Sequence, residues 1–443
     1  VADMDGDGDL DIVSASATDD KIAWYENDGA ANPTFVAADI NTNADGAYDV
    51  FVADIDGDGD QDIISANSYE DTVTWYENDG AANPAWTAID IANSADGVRD
   101  VDVADMDGDG DLDIVSASFR DDTIAWYEND GAANPSFTAV DIATSADGAR
   151  DVHIVDLDGD GDLDIISASY DDNTVAWYEN DGAANPSWAA ADIFTNINIA
   201  FDVNSADIDR DGDIDLVAVE AGNGNIILLE NDGAINPSFT KTTVASGFNT
   251  LIYVDIEDMD FDGDLDIVAA SWSSNGSISW IENDGTHTPN WSKTHITSSS
   301  TFSQPTNIEI ADMDSDGDLD LVIGSSDGNS GKIGWLESDV ASNNDTAIMA
   351  QVGDDYASTS GTLTFSPGET SKTFNVIISE DLIPENNETV QLTLSNPSNT
   401  TISDATGSVV ITDDDGITWD QFTITTSADG AYDVHVADMD NDG

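Results

Sequence analysis

A chain of 443 residues with 92 acidic against 9 basic side chains carries a formal net charge of −83, which excludes nucleic acid as a partner and disfavours anionic membrane surfaces. Acidity on this scale usually accompanies disorder, but 40% of the residues are hydrophobic, they alternate with polar ones, and 11 Trp, 10 Tyr and 13 Phe can fill a core. An all-β protein is therefore expected, without disulfides because there is no cysteine, and without direct membrane insertion because no run is long and apolar enough to span a bilayer.

The first element met is an acidic nonapeptide of pattern D-x-D-x-D-G-x-x-D, with Asp3, Asp5, Asp7, Asp9 and Asp11. It recurs with Asp54, Asp56, Asp58, Asp60 and Asp62, and then with Asp105, Asp107, Asp109, Asp111 and Asp113. The fourth and fifth copies hold Asp156, Asp158, Asp160, Asp162 and Asp164, and Asp207, Asp209, Asp211, Asp213 and Asp215. The sixth holds Asp258, Asp260, Asp262, Asp264 and Asp266, and the seventh Asp312, Asp314, Asp316, Asp318 and Asp320. The first six copies begin 51 residues apart, the seventh 54 after the sixth, and a truncated copy starts at Asp438. Asp and Gly make turns, but a turn needs one or two such residues. Like charges this close repel by roughly 1 kcal/mol per pair even in water. Oxygen donors at alternate positions with Gly at position 6 match the first part of an EF-hand loop. The residues after each loop are strand-like rather than helical, and no Glu stands at position 12. The pattern predicts calcium loops inside β-hairpins, about seven Ca2+ in all.

One unit can be written from 99 to 149. Strands are expected at 100–104, 112–118, 123–128 and 137–142, with turns at Asn129-Asp130-Gly131 and Ala146-Asp147-Gly148. Four short strands in about fifty residues read as a propeller blade. Seven units fill 1–338, and a closed ring removes the exposed sheet edges that separate hairpins would leave. The repeated acidic motif resembles the FG-GAP/VCBS repeat of integrin α-chain propellers and of many bacterial surface proteins. That resemblance covers 1 to about 338 and 418–443. It implies a seven-bladed β-propeller with calcium in the hairpin loops of one face.

At Val340 the repeat stops. Asp355-Tyr356, Ser360 to Glu369, Val376 to Ile378, Leu392 to Pro397 and Ile411 to Asp415 resemble a Calx-β domain, an immunoglobulin-like sandwich, placed at 339–416. The resemblance implies calcium ligands at Asp355, Asp381, Glu385, Asp413 and Asp414, within the clusters Asp354-Asp355, Glu380-Asp381, Glu385, Glu388 and Asp413 to Asp415. It also implies further ions there. The family's first strand is missing, because Trp335 to Glu337 belongs to blade seven. Residues 417–443 return to the repeat. Either 419–425 supplies the outer strand of blade seven while 431–438 pairs where blade one begins, or a second propeller starts here.

No catalytic constellation stands out. His153, His287, His295 and His435 are scattered without a Ser or Cys motif, and carboxylate pairs are too dense to single out a hydrolytic dyad. Trp24, Trp75, Trp126 and Trp177, in the recurring Trp-Tyr-Glu-Asn-Asp-Gly, are expected to pack between blades rather than stack on sugars. The face opposite the acidic loops receives Lys21, Arg99, Arg120, Arg150 and Lys332 with Tyr48, Tyr69, Phe119, Tyr170 and Trp272. Exposed aromatics and arginines on a rigid ring suit a ligand platform. The competing reading is that each Arg neutralises a neighbour, Asp100, Asp121 or Asp151. The chain opens in mid-repeat and stops inside an acidic loop, so it is expected to be a fragment. The function expected is a non-enzymatic, calcium-stabilised extracellular or cell-surface module of a secreted, bacterial type, used in adhesion to a cell-surface protein or glycan. The alternative is a carbohydrate-binding or accessory region of a larger secreted enzyme.

Overall fold

A computed structural model of the chain describes residues 1–30, 33–273, 276–285, 289–298, 302–326 and 331–338, with strands at 356–357, 377–378, 388–393, 406–411, 419–425 and 431–435. Seven antiparallel four-stranded sheets form a propeller. Blade three shows the plan, with strands Val98–Ala104, Asp113–Ser118, Thr123–Asn129 and Phe137–Ala143 running from the channel to the rim. Its innermost strand alternates, burying Val98, Val101 and Val103. The second strand is buried along its whole length because blades pack on both its faces, whereas the fourth, at the rim, holds only half-buried and exposed residues. The hairpin between second and third strands turns on Asp122, held at φ +61°, a left-handed conformation that Asp and Asn tolerate better than most residues.

The last strands complete the ring. Trp419–Thr425 pairs with Lys332–Ser338 as the outer strand of blade seven, with Trp335 opposite Phe422. Ala431–His435 pairs with Ile12–Ser16 as the innermost strand of blade one. Of the two dispositions open at the level of sequence, the structure has this closure, with the 339–416 segment inserted before the outer strand of blade seven. Within that segment, Tyr356–Ala357 pairs with Ile377–Ile378 and Glu388–Thr393 with Thr406–Ile411.

The core is a ring of seven clusters, one at each blade junction. Between blades two and three, Ile64, Val73 and Trp75 meet Val98, Val101 and Ile114. Between seven and one, Trp335, Val322 and Ala311 meet Ile12, Tyr25 and Val434. Trp24, Trp75, Trp126 and Trp177 all lie buried at such junctions, so they are packing residues and offer no face to a sugar. The second residue of every acidic loop is apolar and also buried at a junction: Met4, Ile55, Met106, Leu157, Ile208, Met259 and Met313. Each loop is therefore pinned to the core from below.

Candidate functional site

The acidic loops sit at the ends of the innermost strands. In blade three the position-1 carboxylate, Asp105, accepts from Gly108 N (2.8 Å), Asp109 N (3.1 Å) and Gly110 N (3.0 Å). It thereby folds the loop back on itself. Position 6 is Gly in every copy, with φ from +89° at Gly263 to +100° at Gly59 and Gly317, a region that L side chains avoid. Position 4 is also left-handed throughout, even where it is Arg210, Phe261 or Ser315. This geometry gathers carboxylates: in the triads Asp3, Asp5, Asp11 and Asp105, Asp107, Asp109, ligand oxygens lie within 4.8 Å of one another. Asp54, Asp56, Asp58, then Asp156, Asp158, Asp164, and Asp207, Asp209, Asp211 repeat the arrangement.

These residues fit a hard divalent cation by two tests. The donor set is all oxygen, and Asp5 Oδ1, Asp158 Oδ2, Asp207 Oδ1, Asp258 Oδ1 and Asp314 Oδ1 are buried atoms without a hydrogen-bond partner among the described residues. Burial, reinforced by the neighbouring position-5 carboxylate, raises Asp5, Asp56, Asp107 and Asp158 above the usual carboxylate range. The charge crowding inferred from sequence is thus real in three dimensions. Position 9 is different. Asp11 accepts from Met4 N (3.1 Å), Trp24 Nε1 (2.8 Å) and Asn27 N (2.8 Å), and burial lifts it to about 7 against those bonds. Position 7 differs again: Asp60 and Asp111 lie hard against Gly80 and Gly131 of the Asn-Asp-Gly turns, where any Cβ would collide with the carboxylate. In loop six a guanidinium intrudes, because Arg210 of loop five forms an ion pair with Asp264. The Calx-β ligands Asp355, Asp381, Glu385, Asp413 and Asp414 lie outside the described residues.

An Asn joins neighbouring loops at five of the blade junctions. Asn129, buried at the end of the third strand, donates from Nδ2 to Leu112 O of its own loop (3.0 Å) and to Ile55 O of the loop in the preceding blade (3.1 Å). Asn78, Asn180 and Asn231 repeat the clasp, and Asn27 reaches Met313 O across the closure at 3.2 Å. Removing such a clasp leaves two buried carbonyls unpaired. Asn129→Ala should cost about 2–4 kcal/mol, read as a shifted urea midpoint with unchanged slope.

The opposite ends of the innermost strands form the mouth of the central channel, a cavity of about 310 Å³. Of the residues expected on this face, Tyr48, Arg99, Arg150, Tyr170 and Trp272 line it, joined by Phe201, Tyr253 and Tyr432. Tyr69, Phe119 and Arg120 are not in its lining. Arg99 stacks on Tyr48 (3.8 Å to the ring centre) and lies 5.3 Å from Phe119, while Arg150 stacks on Phe201 at 3.5 Å. The reading that each Arg neutralises its sequence neighbour is corrected for Arg120, which spans blades to Asp71 (3.3 Å) and Asp96 (3.5 Å) instead of Asp121. Lys21 pairs with Asp39 on the rim side.

Below the arginines, the innermost strands carry Asp49, Asp100, Asp151, Asp202 and Asp433, a second recurrence that sequence reasoning missed among so many acids. Each carboxylate accepts the N–H of a residue in the next blade: Asp433 from Val50, Asp49 from Val101, Asp100 from Val152, Asp151 from Val203 and Asp202 from Val254, all at 2.9 Å. Burial raises all five, Asp49 to about 6 and Asp202 to about 7. Such a carboxylate ionises near 3.9 in the unfolded chain. Its contribution to stability is therefore full below about pH 4 and is lost as pH rises through about 7. In chelator, stability should fall from pH 5 to pH 8, and Asp202→Asn should remove part of that fall, up to about 3 kcal/mol.

One layer deeper, His153 Nε2 lies 2.8 Å from Ser205 Oγ. Asp102 is near, but its oxygens accept from Ile154 N (2.9 Å) and Val103 N (2.8 Å), so the pair reads as an inter-blade bridge. His295 Nδ1 lies 2.9 Å from Ser279 Oγ across a blade.

Among the described residues no helix is long and apolar enough to cross a membrane. Six successive matches to the FG-GAP-like repeat, 3–65, 54–116, 105–167, 156–218, 207–269 and 258–323, run from residue 3 to residue 323. A Calx-beta domain matches 313–415 and so begins on blade seven, whose strands Asp320–Ser325 and Lys332–Ser338 pair within the propeller. No curated protein matches the sequence. Among solved structures, an Agrocybe aegerita lectin specific for non-reducing terminal N-acetylglucosamine is 19% identical, with a TM-score of 0.51 over 74% of this chain and 87% of the lectin. A putative 6-phosphogluconolactonase from Bacteroides fragilis is 12% identical, with a TM-score of 0.51 over 74% of this chain and 91% of its own. The periplasmic gluconolactonase of Pseudomonas aeruginosa is 11% identical, with a TM-score of 0.50 over 73% and 91%. At such identities the likeness is one of fold, and it spans both binding proteins and enzymes. The repeat matches cover most of the sequence, and the chain belongs to the FG-GAP-like repeat family, with a Calx-beta domain set into its last blade.

Proposed function

We propose that this chain is a calcium-binding, non-catalytic extracellular module that presents the channel mouth to a ligand on a cell surface. The observation that carries this reading is the set of buried, unpartnered loop oxygens among carboxylates gathered within 4.8 Å. A hard divalent cation supplies the positive charge such a cluster lacks, and seven such loops stiffen one face of the ring. Calcium fits better than magnesium, which keeps its waters and seldom uses all-protein cages. Millimolar calcium is an extracellular condition. The adhesive role is supported by the mouth, where stacked arginines and aromatics converge on one rigid cavity. A catalytic role has less support, because each of the five channel carboxylates already accepts a backbone N–H with one oxygen and serves as an inter-blade tie. Calorimetric titration of the chelated protein should register about seven calcium equivalents at ~0.1–1 mM, with far weaker heats for magnesium. Absence of any calcium heat would remove the proposal.

A further inference from the structure

The two mouth arginines differ from the other described cations that form ion pairs. Lys21, Arg120, Arg210 and Lys241 each lie within reach of a carboxylate, whereas Arg99 and Arg150 form no ion pair among the described residues. Both guanidiniums instead stand over aromatic rings, and both residues line the cavity. The Nε of each is buried without a hydrogen-bond partner, and an unsatisfied buried donor is costly. Burial and the neighbouring charge of Arg99 push the Arg150 guanidinium down to about 10. Asp151 and Asp202 share the cavity and attract Arg150, but burial raises both and each is bonded to a backbone N–H, so neither closes an ion pair with the arginines.

We propose that the channel mouth binds a carboxylate-bearing sugar, the uronic-acid class of residue, with its carboxylate between Arg99 and Arg150. A planar guanidinium edge is matched to a carboxylate and less so to a neutral hydroxyl. The rest of the cavity suits a sugar ring. Tyr170, Trp272 and Tyr432 offer apolar faces, and Asp100, Asp151 and Asp202 each retain a second oxygen as an acceptor for hydroxyls. A peptide C-terminus would fill the arginines but leave those acceptors facing a backbone with few hydroxyls. The long-range repulsion from the rest of the chain is screened beyond about 8 Å at physiological ionic strength.

This inference deepens the binding reading above and rests on it. The test is calorimetry of the calcium-loaded full chain with a galacturonate or glucuronate trisaccharide, its neutral galactose or glucose counterpart, and a short peptide with a free C-terminus. The uronate should bind at least about tenfold more tightly than either comparator. Arg150→Gln and Arg99→Gln should each weaken it by about tenfold or more, while Arg120→Gln leaves it unchanged. Equal melting temperatures for the three variants show that folding is intact. Equal binding of the neutral sugar would overturn the carboxylate assignment, and tighter binding of the peptide would overturn the sugar assignment. If no probe binds, or Arg120→Gln weakens binding as much as Arg150→Gln, the mouth assignment is wrong. The calcium titration is independent of all these results, so it separates failure of this inference from failure of the calcium reading.

Discussion

Transfer from 10 mM calcium into excess chelator is expected to lower the melting temperature of this protein by roughly 15–25 °C. With dissociation constants of ~0.1–1 mM, each site contributes about 1.4–2.7 kcal/mol at 10 mM calcium. Seven sites together supply on the order of 10–19 kcal/mol, comparable to or larger than the whole stability of an ordinary domain. So large a dependence is expected because each loop is tied to the core at position 2, and loops one to five are joined in series by Asn clasps. Repulsion released in one loop is therefore felt at a blade junction. Differential scanning calorimetry with and without chelator checks this. A shift below about 3 °C would mean that the carboxylate clusters are tolerated without a metal.

The second large effect is expected at the closure. Val434 is fully buried at the junction of blades seven and one, where it packs with Trp335, Ile12 and Val322. Val434→Asp places a carboxylate there without a partner, at a cost of several kcal/mol. Removing residues 419–443 is expected to do more. It deletes the strand paired with Lys332–Ser338 and the strand paired with Ile12–Ser16. It also deletes the bonds from Val50 N to Asp433 (2.9 Å) and from Thr306 Oγ1 to Ala431 O (2.7 Å). Two open sheet edges would then invite aggregation. The truncated chain should show no cooperative melt in calcium, and Val434→Asp a melt lowered well beyond that of a rim substitution such as Val36→Asp. A truncated chain melting within a few degrees of the intact one would show that the ring is held closed by other means.

Most of the architecture was legible because a 51-residue period aligns every blade with its neighbours. Reading the columns of that period located the acidic loops and the strands of blade three to within a residue or two. The closing strands were legible for the same reason, since Trp419 to Val434 repeats the phrase that precedes each loop. The Asn clasp went unread although its signal was present: Asn follows Trp-Tyr-Glu in each of the first four blades. It looked like turn chemistry, and only the structure shows its amide crossing to another blade. The ring of Asp49, Asp100, Asp151, Asp202 and Asp433 was hidden by abundance, since an acid five residues before most of the loops is unremarked among 92. Arg120 was misread because its long side chain spans a blade gap that sequence distance does not express. Tyr48, Arg99, Arg150, Phe201 and Tyr432 occupy one column, so Phe201 and Tyr432 were available to a reader who followed it.

The most direct test is anomalous diffraction from crystals grown in calcium, with data collected at long wavelength. The expected result is a calcium peak inside the acidic hairpin of each blade, with oxygens at 2.3–2.6 Å, among them Asp5 Oδ1, Asp158 Oδ2 and Asp207 Oδ1. Water alone at those tips in millimolar calcium would contradict it.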